Sequence, residues 1–269
     1  MPAMPRLGMG TWHMGEDRAA RAAEVAALRL GLDLGITLID TAEMYGEGGS
    51  EEVVGEAIRG RRDGVFVVSK FYPHHAGRRK LATACEGSLA RLGIERLDLY
   101  LLHWRGSVPL AETVEALERL VDSGKIARWG VSNLDVDDLE AIAALEGGAA
   151  MAADQVLYNL SQRGVEFDLL PWCAARDVAV MAYSPLDEGR LVRHPALGAI
   201  ASRIGAAPAQ VAIAWLLGRP GVIAIPKAAQ AQHVRAMAAA RDLRLDAETG
   251  AELDRAFAPP RARQHLAVI

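Results

Sequence analysis

Leu38-Ile39-Asp40-Thr41-Ala42-Glu43-Met44-Tyr45-Gly46 is a short apolar run that stops on an acid and reaches a tyrosine five residues further on. The run has the length and apolar character of a buried strand. Ser50-Glu51-Glu52, just beyond it, reads as the N-cap and acidic first turn of a helix. A strand that feeds a helix is one βα unit. Outward from this stretch the unit recurs along the chain, with strands expected at Leu7–Gly10, Thr37–Asp40, Val65–Lys70, Leu97–His103, Ala127–Ser132, Ala153–Leu157, Ala179–Tyr183 and Val222–Ile225. Amphipathic segments lie between them. In Thr113 to Val121, Val114, Leu117, Leu120 and Val121 share a face that Glu115, Glu118 and Arg119 avoid. Gly124 closes that helix and Pro208 opens a later one. Such alternation specifies an α/β fold on a parallel sheet, and eight units predict a (β/α)8 TIM barrel. Two further helical segments, near Pro195–Arg203 and Asp246–Phe257, exceed the eightfold count and are expected as two extra helices.

No repeat, low-complexity linker or composition break divides the 269 residues. Residues 1–269 are therefore expected to form one barrel domain, with the tail 258–269 near the active-site mouth. A hydrophobic fraction of 51% is enough for a large core, and a net charge of -4 with no basic face argues against nucleic acid as a partner. No apolar run approaches the ~18 residues of a membrane span. Met1 to Arg6 lack the apolar core of a signal peptide. Cys85 and Cys173 suit a reducing compartment better than a disulfide framework. A cytoplasmic protein is expected, monomeric or weakly homo-oligomeric and away from the membrane.

Barrel chemistry sits at the C-terminal ends of the strands. There the sequence places Asp40, Ser69-Lys70, His103, Ser132-Asn133, Gln155, Tyr183-Ser184 and Pro226-Lys227. The chain has only four lysines, Lys70, Lys80, Lys125 and Lys227, so two of them fall in this set. Asp40, Lys70 and His103 with Tyr45 suggest proton delivery. A phenol of pKa about 10 is a poor acid, and a neighbouring ammonium lowers it. Lys70 is expected to supply that charge, Asp40 to hold Lys70, and His103 to orient a substrate oxygen. Such a donor matches a carbonyl oxygen that becomes an alkoxide when something adds to its carbon. His13, His74 and His75 are read as loop residues, and no metal site is expected.

Gly10-Thr11-Trp12, Asp40-Thr41-Ala42-x-x-Tyr45-Gly46, Gly49-Ser50-Glu51, Val68-Ser69-Lys70, Leu97-Asp98-Leu99-Tyr100-Leu101-Leu102-His103-Trp104, Gly124-Lys125-Ile126, Gly130-Val131-Ser132-Asn133 and Ile225-Pro226-Lys227 resemble, in order and over essentially the whole chain, the motifs of the aldo-keto reductase superfamily. Asp168-Leu169-Leu170-Pro171-Trp172-Cys173 and Ile225-Pro226-Lys227-Ala228-Ala229 are similar to bacterial members of the methylglyoxal reductase type. The resemblance implies hydride transfer from NADPH to a small aldehyde or ketone, with Tyr45, Lys70, Asp40 and His103 as the catalytic set. Ser132, Asn133 and Gln155 match the contacts to the nicotinamide carboxamide, Tyr183 the stacking ring, and Ser184, Pro185 and Leu186 the pyrophosphate segment. The implied cofactor-binding set also takes in Gly10, Thr11, Trp12, Ile225, Pro226, Lys227 and His233.

Many NADPH-dependent members carry Ser after the Lys227 position and Arg six residues beyond it, where this chain has Ala228 and His233. NADPH is therefore expected to be preferred over NADH, but with weaker discrimination. Trp12, Met44, Phe71, Trp104 and Leu134 are expected to build the pocket mouth. Two alternatives share these residues: a metal-dependent barrel hydrolase, and an NADPH-binding regulatory or sensor protein with little turnover.

Overall fold

The computed structural model describes residues 4–269. Eight parallel strands follow one another in chain order: β1 (Gly8–Gly10), β2 (Leu38–Asp40), β3 (Phe66–Phe71), β4 (Leu99–Leu102), β5 (Trp129–Ser132), β6 (Ala153–Leu157), β7 (Ala179–Tyr183) and β8 (Val222–Ala224). β8 returns to the first strand through parallel bridges Leu7 to Ala224 and Gly10 to Lys227, and Gly10 N donates to Pro226 O at 2.9 Å. The sheet thus closes on itself as the expected barrel. All eight expected strands form, most of them trimmed by one or two residues at an end.

Helices α1 (Arg21–Asp33), α2 (Gly49–Ile58), α3 (Arg78–Leu92), α4 (Leu110–Asp122), α5 (Val136–Ala143) and α6 (Leu169–Ala174) fill the first six crossovers. α8 (Pro208–Leu217) joins β7 to β8 and α9 (Ala231–Ala240) follows β8. The two remaining helices, α7 (Pro195–Arg203) and α10 (Ala247–Ala256), are the additional ones and pack on each other. Their ends follow from local chemistry. Pro195 and Pro208 open α7 and α8, Gln210 accepts from the Ala207 amide, and Asp135 and Asp246 cap α5 and α10 through their carboxylates. Ser50 departs from its expected role. It lies inside α2, and its hydroxyl joins a buried chain in which Thr41 Oγ1 donates to Ser50 Oγ, Ser50 to Thr11 Oγ1, and Thr11 to Asp40 O.

Successive strand residues point to opposite faces. One set faces the barrel axis as a core of Leu38, Phe66, Val68, Leu99, Leu101, Ala153, Met181, Ile223 and Ile225. The other set, including Ile39, Val67, Tyr100, Val131, Val156 and Val180, packs against the helices in a larger outer core. α4 shows how a helix joins it, burying Leu110, Val114, Leu117 and Leu120 on one face. Truncating one such leucine to alanine costs about 2–5 kcal/mol.

Candidate active site

The inward rows change character near the C-terminal end of the barrel. Leu38 is followed by Asp40, Phe66 and Val68 by Lys70, Leu99 and Leu101 by His103, and Ala153 by Gln155. Each polar side chain therefore continues an apolar row and converges on its neighbours. Lys70 Nζ donates to Asp40 Oδ2 at 2.8 Å, to Thr41 O at 2.9 Å and to Tyr45 Oη at 3.1 Å. Lys70 is wholly buried and Asp40 nearly so. The Tyr45 ring meets the His103 ring edge-on at 5.7 Å. Gly46 and Glu47, immediately after Tyr45, adopt the left-handed conformation at φ 56° and 52°, which turns the chain away and leaves the phenol half-buried on the rim.

Electrostatics divide the roles. Burial alone disfavours the Lys70 ammonium, but Asp40 and Tyr45 outweigh it and the group stays above its ordinary value. Burial pushes the Tyr45 phenol up, with Asp40 adding to the rise; Lys70 pulls the other way without reversing it. The expectation of a lowered phenol is thus corrected: desolvation of the phenolate wins in the resting site, and Lys70 limits the rise. His103 is lowered to about 2 by burial and then by the Lys70 charge, so its imidazole is neutral. Its Nδ1 is buried with no hydrogen-bond partner among the described residues.

The residues expected to bind a cofactor fall into two groups. Asn133 adopts a left-handed φ of 60° at the end of β5 and accepts from Tyr183 Oη at 2.9 Å, while its amide donates to His103 O and Ser132 Oγ, both at 3.2 Å. Ser184, at φ 48°, opens the turn through Pro185 and Leu186, and Asn159 Nδ2 donates to its carbonyl at 2.9 Å. Gln155 donates to Asp40 Oδ1 at 2.8 Å, leaving its amide oxygen without a donor among the described residues. Lys227 and His233 are exposed, and Lys227 has no carboxylate partner among the described residues. The Gln155 amide oxygen, the half-buried Tyr183 ring and the exposed Lys227 ammonium form a set that fits a nicotinamide dinucleotide phosphate. Gly10, Thr11, Ile225 and Pro226 are buried. Thr11 is committed to Asp40 O, and a Cβ on Gly10 would stand 2.9 Å from Ile225 O. Their place is in the barrel seam, and the Ser132 hydroxyl likewise donates inward, to Gln155 O.

At the mouth, Trp12, Met44 and Trp104 are 39%, 40% and 37% exposed, among the few large apolar side chains left uncovered. Phe71 and Leu134 are not with them. Lys70 points inward, so Phe71 points outward, where it is wholly buried against Tyr100 at 5.0 Å; Leu134 is wholly buried in the outer core. The residue that joins the mouth instead is Tyr72, which continues the row Phe66, Val68, Lys70 and meets Trp104 edge-on at 5.9 Å. Period two, run two residues past Lys70, would have found it. The tail closes the opposite side. Arg263 bridges Asp137 and Asp168 at 2.9 and 3.0 Å, and Leu266 packs on the outer core. The backbone of Ile269 reaches the Tyr183 hydroxyl, whose pKa burial raises to about 12 against the pull of that amide.

The sequence model of the aldo/keto reductase family matches residues 6–258. Methylglyoxal reductase YeaE of Escherichia coli is 50% identical over 99% of this chain and 96% of its own length. An aldo-keto reductase from Klebsiella pneumoniae, crystallised with NADPH, superposes with a TM-score of 0.97 at 53% identity, covering 99% of this chain and 95% of that one. The thermostable aldo-keto reductase Tm1743, crystallised with the inhibitor epalrestat, gives a TM-score of 0.87 at 40% identity over 94% of this chain and 95% of its own.

Proposed function

Because the chain belongs to the aldo/keto reductase family, we propose that its NADPH-dependent reduction of carbonyl groups uses Tyr45 as the proton donor, Lys70 and Asp40 as the pair that stabilises the phenolate left behind, and His103 as the group that orients the carbonyl oxygen. The contact that carries this reading is Lys70 Nζ to Tyr45 Oη at 3.1 Å, with Asp40 behind it.

When bound, NADPH supplies the hydride to the carbonyl carbon. The chain's own residues handle the proton. Tyr45 rests as a neutral phenol, which is the form an acid needs. Once its proton passes to the substrate oxygen, the phenolate faces the Lys70 ammonium at hydrogen-bond distance, where a low local dielectric strengthens their attraction. A buried nitrogen left without a partner is more tolerable as a lone pair than as an N–H, so the single proton of neutral His103 belongs on Nε2, where it donates to the carbonyl oxygen. Lys227 would meet the cofactor's 2'-phosphate as a point charge, and exposed His233 would be the second residue at that end. NADPH is preferred over NADH by a modest margin, because His233 stands where many family members carry an arginine that could fork onto the phosphate. Asn133, Gln155 and Tyr183 hold the nicotinamide, and Ser184 to Leu186 the pyrophosphate.

Small aldehydes, methylglyoxal among them, are the proposed substrates, supported by the E. coli relative and by the apolar mouth. The chain acts as a monomer or weak oligomer without nucleic-acid or membrane partners. Two buried free cysteines support a reducing compartment such as the cytoplasm. Among the described residues no helix by itself is long and apolar enough to cross a membrane. A sensor with little turnover is the less favoured reading, since the relatives named above are reductases.

The test is loss of NADPH absorbance with methylglyoxal, glyceraldehyde and nitrobenzaldehyde, beside Tyr45→Phe. Wild type is expected to turn over, and Tyr45→Phe to lose roughly 10²–10⁴ in kcat while still binding NADPH. Full activity in Tyr45→Phe would remove the proposed role, and tight NADPH binding without turnover would favour the sensor.

A further inference from the structure

Glu43 lies two residues before Tyr45, and only 8% of its side chain is exposed. It takes no part in the proton chemistry above. Its Oε1 accepts from the backbone amide of Tyr72 at 2.7 Å and from His75 Nδ1 at 2.8 Å. The Tyr72–His75 turn otherwise closes on itself, with His75 N donating to Tyr72 O and Ala76 N to Pro73 O. One buried carboxylate thus ties the loop after β2 to the loop after β3.

A continuous run of ring contacts leads away from that turn. His75 meets His74 at 4.2 Å, His74 stacks on Tyr72 at 4.9 Å, Tyr72 meets Trp104 at 5.9 Å, Trp104 meets His103 at 4.8 Å, and His103 meets Tyr45 at 5.7 Å. Tyr45 does not depend on Glu43 for its own position. Thr41 N donates to Val68 O, Glu43 N to Lys70 O and Tyr45 N to Ala42 O, and Lys70 Nζ holds Thr41 O. Those bonds fix the proton donor from below. The Glu43 carboxylate fixes Tyr72 from the side.

We propose that Glu43, with His75, is a positioning residue for substrate specificity: its carboxylate clamps the Tyr72–His75 turn and so holds Tyr72 and Trp104 as an aromatic wall for carbonyl substrates that carry a ring. The inference rests on the reading that this mouth takes the carbonyl substrate. A ring substrate has a face to stack on the wall and a three-carbon aldehyde has none, so loosening the clamp separates the two.

The experiment measures kcat and KM for 4-nitrobenzaldehyde and methylglyoxal at saturating NADPH in wild type, Glu43→Ala, Glu43→Gln and His75→Ala. Glu43→Ala is expected to raise KM for 4-nitrobenzaldehyde at least fivefold with kcat within twofold, and to leave methylglyoxal within twofold on both constants. Glu43→Gln keeps an oxygen that accepts both bonds and stays near wild type. His75→Ala moves KM in the same direction by less. An equal fall in kcat on both substrates, or an unchanged KM in Glu43→Ala, overturns the proposal. Quenching of tryptophan fluorescence by 4-nitrobenzaldehyde in the NADP⁺ complex reads the wall without turnover. Weaker binding in Glu43→Ala supports the clamp and unchanged binding overturns it, even if wild type reduced neither aldehyde and the catalytic reading itself failed. If Glu43→Ala does not fold, His75→Ala decides by the same KM comparison.

Discussion

Gln155 Nε2 donates to Asp40 Oδ1 at 2.8 Å while Lys70 Nζ occupies Asp40 Oδ2 at the same distance, so one buried carboxylate joins β2, β3 and β6 across the barrel interior. If Gln155 holds the nicotinamide as proposed, this contact couples the cofactor to the Asp40–Lys70 pair behind Tyr45. Gln155→Leu keeps the volume but leaves Oδ1 without a donor, and an unsatisfied buried acceptor costs about 1–3 kcal/mol. Urea unfolding is expected to show that loss with an unchanged slope. A midpoint equal to wild type would mean that water or rotation replaces the bond.

The same row explains what the sequence made legible. Leu38 and Asp40, Phe66, Val68 and Lys70, Leu99, Leu101 and His103 are spaced by two, so a reader who assigns the apolar members to the barrel axis has assigned the polar ones to its mouth. Strand order and the two additional helices follow from alternation and from Pro195, Pro208 and Asp246. Loop geometry did not follow. Phe71 and Leu134 are apolar neighbours of site residues, but parity sends Phe71 outward and Leu134 is buried in the outer core. Ser50 has the residue type of a cap, yet Gly48 takes that position and frees the hydroxyl for Thr11. Glu43 is one acid among 34 acidic residues in the chain, and only the meeting of two loops gives it a role.

His103 gives a pH signature of defined sign. Its folded value, held at about 2 by burial and the Lys70 charge, lies below the ordinary 6.5. Between those values the unfolded chain binds a proton that the folded chain refuses. The stabilising contribution is complete above the upper value and is lost as pH falls toward the lower, at up to about 1.4 kcal/mol per pH unit. Melting temperatures from pH 7 to 4.5 should fall less steeply in His103→Asn than in wild type. Parallel curves would show that the imidazole takes up its proton in the folded state.

Lys227 stands exposed just beyond β8, without a carboxylate to hold it among the described residues. If it meets the 2'-phosphate, Lys227→Ala should raise KM for NADPH and leave KM for NADH almost unchanged. A hydrogen bond to a charged group contributes about 1.5–3 kcal/mol, which is roughly a 10- to 100-fold change. The lower end is expected at an exposed site. Equal losses with both cofactors would place Lys227 elsewhere on the dinucleotide.

Asp154 precedes Gln155 on β6 and so points the opposite way, into the layer between the barrel and its helices. Both its oxygens are buried without a side-chain partner among the described residues, and burial holds the carboxyl well above its ordinary range; the Leu134 amide pulls down, and Asp135 and Asp138 add to the rise. A raised carboxyl is the reverse of His103. Above a pKa of about 3.9 the unfolded chain releases a proton that the folded chain keeps, so the contribution to stability is complete below that pH and is lost as pH climbs toward the folded value. Asp154→Asn is nearly isosteric and carries no proton to lose. It should match wild type near pH 4 and exceed it by a margin that widens toward pH 8, at up to about 1.4 kcal/mol per pH unit, with kcat unaltered because the side chain faces away from the site. Thermal melts of the two proteins across that range check this. A margin that stays constant with pH would mean Asp154 is ionised in the fold, and its two oxygens must then find donors when the outer layer breathes.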